Sequence, residues 1–113
     1  ELDAILARQA MTTDPGDLAR INAEFHLCLA TCAQNAVLTG YLRDLGKRVR
    51  FYFLPAAAQR RENSLAEHRG ILDAVRRRDA AQARALVCAH VSDTRSDAVR
   101  TLAASVRSSK DTD

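Results

Sequence analysis

Four glycines and two prolines in 113 residues leave this chain almost nowhere to break a helix. Inside a helix these two residues cost about 1 and 3 kcal/mol relative to Ala. The remainder is rich in Ala, Leu and Arg and poor in β-branched and aromatic residues. That balance predicts an all-α fold, an antiparallel helical bundle, and the length predicts a single domain over residues 1–113.

The punctuation divides the chain into helices. Asp14-Pro15 supplies an N-cap and a favoured first helical residue, opening a helix to about Ala33 with Leu18, Ile21, Phe25, Leu29 and Cys32 on one stripe. Asn35 caps a second, in which Leu38, Leu42, Leu45, Val49 and Phe53 keep the 3.6-residue period until Pro55. Residues 56–63 read as a polar connection or a frayed helix end. Ser64 and Glu67 have capping-box spacing and start a helix carrying Leu65, Ile71, Leu72 and Val75. Asp79 and Gln82 repeat that spacing and open a last helix with Ala83, Leu86, Val87, Val91, Ala98 and Leu102. A partial helix precedes Asp14, and the polar tail from Ser105 is expected to fray.

The net charge of +3 is too mild to mark a nucleic-acid surface. No run approaches the roughly 18 continuous apolar residues of a membrane span, and Glu1 to Ala10 lacks the order of a signal peptide, so a cytoplasmic protein is expected. Three cysteines without framework spacing read as reduced, buried thiols. The absent initiator Met and the abrupt amphipathic start suggest a fragment of a longer chain.

The three histidines carry the functional signal. In an antiparallel hairpin, residues equally far from the turn lie level, because both arms rise about 1.5 Å per residue. Asp79 marks the last turn; His68 lies eleven residues before it and His90 eleven after. His26 and Asn22 share a helix face one turn apart and stand nine and thirteen residues before Asn35, also near mid-height. Three imidazoles and an amide oxygen suit a late first-row divalent ion, with zinc leading and nickel an alternative. No ligand in this set is anionic, so the ion would keep its double charge and attract a carboxylate.

The same open coordination position also allows a small three-histidine metalloenzyme that activates water. Against catalysis stands the lack of any serine, cysteine or lysine nucleophile with an evident base and orienting partner.

From Asn22 to His90 the sequence resembles the FCD domain, the effector-binding C-terminal domain of FadR-type regulators in the GntR family of bacterial transcription regulators. The strings that carry the likeness are Asn22-Ala23-Glu24-Phe25-His26, Ala33-Gln34-Asn35, Glu67-His68-Arg69-Gly70-Ile71-Leu72-Asp73-Ala74, Asp79-Ala80-Ala81-Gln82-Ala83 and His90. The resemblance implies a divalent metal on Asn22, His26, His68 and His90 within an all-helical bundle, a small organic acid beside it, and no enzymatic activity. It implies a homodimer, with DNA bound only through a winged helix-turn-helix that this chain does not contain. Many relatives carry Asp where Asn22 stands, a departure that bears on metal affinity and preference. The family's opening helix is absent or incomplete, so an N-terminally truncated domain is expected.

Other residues carry lesser expectations. Arg48 and Arg50 are candidate donors to a carboxylate effector, since guanidinium grips it bidentately, and Tyr52 could add a hydroxyl. Cys28 lies about 200° around its helix from His26, which separates the thiols from the histidine site. Glu67 is assigned to capping, and Arg76, Arg77 and Arg78 to a solvated helix end.

Overall fold

The computed structural model describes residues 1–111, with the side chains of 38, 49–53 and 55 outside the description. Five helices make up the fold, with no strand among the described residues: α1 (Leu2–Met11), α2 (Pro15–Cys32), α3 (Ala36–Ala57), α4 (Arg61–Arg76) and α5 (Ala80–Asp111). The all-α class expected from the scarcity of helix breakers is the one observed. The chain forms two compact units, Glu1–Arg61 and the residues from Glu62 onward. Among the described residues, no helix is long and apolar enough to cross a membrane.

In the first unit α2 packs against both α1 and α3. Asp14 caps α2 as its sequence predicts, its carboxylate accepting from the Asp17 N–H at 3.0 Å with Pro15 following. Leu18, Ile21 and Phe25 are buried on the expected stripe. Full burial of a Phe or Leu side chain contributes about 1.5–3 kcal/mol each. Leu29 is half-buried and Cys32 exposed, so the stripe loosens toward the end of the helix. Arg61 ties the far end of this unit to its start, donating to the Thr12 and Ala10 carbonyls at 2.6 and 2.8 Å. Those are carbonyls at the C-terminal end of α1, which the helix itself leaves unsatisfied.

Three expected boundaries move. Helix α3 passes Pro55 and ends at Ala57, where a connection was expected. The proline forfeits one backbone bond, but Ala56 and Ala57 are strong helix formers and both are buried, Ala57 in a cluster with Leu18 and Ala19. Helix α4 begins at Arg61, three residues before the expected cap, and Ser64 is a buried interior residue. The spacing of a capping box is also that of two neighbours on one helix face, so sequence alone does not separate them. Helix α5 continues to Asp111, through the segment expected to fray. No Gly or Pro follows residue 70, and Lys110 in the last turn complements the helix dipole.

Several apolar positions expected in helix stripes face water instead: Leu45, Val75, Val91 and Leu102 are exposed. The expected positions Leu38, Val49 and Phe53 lie outside the described side chains.

In the second unit α4 and α5 form an antiparallel hairpin. Asp79 caps α5, its carboxylate accepting from the Gln82 N–H at 3.0 Å, as its spacing predicts. Helix α4 closes with Arg78 N–H on the Val75 carbonyl and Asp79 N–H on the Ala74 carbonyl, both at 3.0 Å, the paired bonds of a Schellman turn. Arg78 adopts φ 56°, a left-handed conformation that usually falls to glycine. Arg76 lies in the last turn of α4, and the exposed Arg77 pairs with Asp73 at 3.2 Å, in keeping with a solvated helix end. A side chain in the left-handed region costs about 1–2 kcal/mol, partly offset in a glycine variant by greater freedom of the unfolded chain. Arg78→Gly is therefore expected to stabilise the chain by about 0.5–1 kcal/mol. Urea denaturation checks this, and an unchanged or lowered midpoint contradicts it.

Candidate metal centre

Helix α4 presents His68 and helix α5 presents His90, and the hairpin brings the two rings together as the level count requires. Their Nε2 atoms are 3.2 Å apart, with ring centroids at 4.7 Å and planes inclined by 64°. Both side chains are out of water, at 0% and 3% exposure. A buried imidazole nitrogen must have a partner, since stranding one costs about 1–3 kcal/mol.

The other nitrogen of His90 has such a partner. Nδ1 lies 2.7 Å from Oε1 of Glu67, whose side chain is 28% exposed. An ionised carboxylate only accepts, so Nδ1 carries a proton and, in the neutral ring, Nε2 of His90 carries a lone pair. With both rings neutral, His68 Nε2 then donates to His90 Nε2, which satisfies the two facing nitrogens. Capping was the role expected of Glu67; the structure puts it inside α4, bonded to a histidine of α5. One sequence signal could have pointed there. Glu67 adjoins a candidate ligand, and metal-binding histidines commonly donate their second N–H to a carboxylate.

The spacing of the pair fits a shared cation. Two nitrogens each about 2.0–2.1 Å from a tetrahedral ion stand roughly 3.3 Å apart. The observed 3.2 Å is close to that, so replacing the shared proton by a cation would require little movement of either ring.

Within the first unit, Asn22 and His26 occupy one face of α2, one turn apart, and both are half-buried. Oδ1 of Asn22 accepts from Nε2 of Gln9 at 3.2 Å, and Gln9 is 1% exposed. This bond orients the Asn22 amide. The His26 ring meets the Phe25 ring edge-on at 5.4 Å. Gln9 escaped the sequence reading. Its signal is a polar residue on the face of α1 that also carries the buried Ile5.

The other candidates fare differently. Arg48 is exposed, while the side chains of Arg50 and Tyr52 lie outside the described residues. Two of the three thiols expected to be buried, Cys32 and Cys88, are exposed, and Cys28 is half-buried. Helices α2 and α5 turn those positions to water, and a thiol there needs no partner.

The FCD domain family pattern matches residues 1–93. The chain belongs to the FCD domain family. The match spans all four candidate ligands, from Asn22 to His90. FCD domains are the effector-binding domains of GntR-type regulators, a regulatory rather than an enzymatic family. No curated protein and no solved structure matches this FCD domain.

The thiols provide a check on the environment of α2. Burial pushes the Cys28 thiol above its ordinary value, and the Glu1 carboxylate and Cys32 add to the effect. A raised value leaves less thiolate, the reactive form, at a given pH. Iodoacetamide at pH 8 is expected to label Cys32 and Cys88 before Cys28, as read by peptide mass spectrometry; labelling of Cys28 first would contradict this.

Proposed function

We propose that this FCD domain is the ligand-sensing and dimerisation domain of a cytoplasmic GntR-type, FadR-like transcription regulator. It binds a divalent metal and a small organic acid, and residues 1–113 act as one sensing domain. The observation that carries the reading is the buried His68–His90 pair, with its Nε2 atoms 3.2 Å apart and Glu67 behind His90. His26 and Asn22 complete the ligand set, their placement one turn apart on α2 being what a chelating pair on a helix requires. Imidazole donors favour zinc, with nickel or another first-row divalent ion as alternatives.

When bound, a divalent cation held by uncharged imidazole and amide ligands keeps its full charge and attracts the carboxylate of a small acid. Arg48, Arg50 and Tyr52 are the residues proposed to hold the rest of that acid through guanidinium and hydroxyl contacts. Gln9 keeps the Asn22 amide oriented, and Glu67 keeps the His90 ring oriented. The acid favours one arrangement of the sensing domain over another by its difference in contact energy. That preference passes through the homodimer to DNA-binding domains elsewhere in the regulator.

Zinc added to the chelator-stripped chain is expected to raise its melting temperature. The gain is about 2.7 kcal/mol of stability at a free concentration one hundred times Kd. The shift should disappear in His68→Ala and His90→Ala, and small hydroxy acids should add a further shift only to the metal-loaded chain. Elemental analysis and thermal denaturation check both parts. Identical melting of loaded and stripped protein, with acids changing neither, would overturn the reading.

A further inference from the structure

We infer that Glu67 is a positioning residue that selects the tautomer of His90 and so turns the His90 Nε2 lone pair toward the metal position. The inference rests on the metal-centre reading and deepens it. A neutral imidazole has its proton on either nitrogen, and only the nitrogen without it can coordinate. Nothing in a histidine on its own decides which one. Here the 2.7 Å contact from Glu67 Oε1 holds the proton on Nδ1, and the atom that faces His68 is left bare.

The position of Glu67 follows from helix geometry. Glu67 and His68 are neighbours on α4, about 100° apart around its axis. His68 meets His90 through Nε2, and Glu67 meets the opposite edge of the same ring through Nδ1. One stretch of α4 therefore grips the His90 ring at both nitrogens. The ring cannot flip without breaking both contacts in a setting where it is 3% exposed. The Thr94 hydroxyl donates to the His90 carbonyl at 2.7 Å, a local bond on the backbone of the same residue.

The consequence is a defined proton arrangement before any metal arrives. With both rings neutral, His90 is in the Nδ1–H form and His68 in the Nε2–H form, donating across the 3.2 Å gap. To ligate through Nε2, His68 alone would have to change tautomer, its proton passing from Nε2 to Nδ1 by exchange with solvent, while His90 is already in its ligating form.

The test uses the full chain labelled with 15N-histidine, with Zn2+ as the probe. Long-range 1H–15N spectra of the metal-free wild type at a pH where both rings are neutral should show His90 as the Nδ1–H tautomer. Glu67→Ala should shift His90 toward the Nε2–H form and weaken Zn2+ binding about 10–100-fold in competition with a chromogenic chelator. Glu67→Gln, which keeps an acceptor oxygen without the charge, should retain the Nδ1–H form and recover part of the affinity. Because the tautomer is read without metal, it separates positioning from direct ligation by Glu67. Circular dichroism confirms that each variant is helical. An Nε2–H form of His90 in the wild type, or a Glu67→Ala chain with unchanged tautomer and unchanged Zn2+ affinity, overturns the inference. Failure of the wild type to take up Zn2+ overturns the parent reading instead, while the metal-free spectra still decide the role of Glu67.

Discussion

Hiding an imidazole from water creates a demand that the surrounding helices must meet. His68 and His90 are both buried, and each ring has two nitrogens that would cost about 1–3 kcal/mol if stranded. The antiparallel pairing of α4 and α5 answers this for the facing nitrogens, and Glu67 answers it for the outer nitrogen of His90. The hairpin is therefore specified by polar satisfaction as well as by the apolar packing of residues such as Ile71 and Leu72. A buried polar contact of this kind is selective: an apolar pair would tolerate a shift along the helix, while facing nitrogens do not.

The helical character of the chain was legible because it depends on what is missing, and the scarcity of Gly and Pro is visible residue by residue. The starts at Asp14 and Asp79 were legible for a related reason: a cap is a local bond between a side chain and a backbone group three residues away. Ser64 shows the limit of the same rule. Its spacing to Glu67 satisfies the capping pattern, yet tertiary burial places it inside the helix, and burial is not a local property. Pro55 and the tail after Ser105 make the same point from opposite sides. In one, packing of Ala56 and Ala57 carries a helix past a breaker; in the other, the mere absence of breakers carries it to Asp111.

The site divides along similar lines. Equal spacing from Asp79 found the His68–His90 pair, because a hairpin's geometry follows from counting. One-turn spacing placed Asn22 and His26 on a common face of α2. The residues behind them were not found this way. Glu67 and Gln9 act through bonds to another helix, and the sequence holds no periodic mark of which residue lies behind a candidate ligand. Their detection required a chemical question instead, namely what satisfies the second nitrogen of a buried ring or orients a half-buried amide. The cysteines failed for the opposite reason: thiols are buried on average, but Cys32 and Cys88 sit on faces that the folded helices leave to water.

The tight reversal at Arg78 and Asp79 has an evolutionary corollary. It acts as the origin from which the two arms are measured, so an insertion or deletion of one residue between His68 and His90 would rotate one ring by about 100° and displace it by about 1.5 Å. Either change breaks the facing of the nitrogens, whatever residue is gained or lost. Connections between helices generally tolerate changes in length; here the facing of two rings eleven residues away on either side ties the pairing to the count.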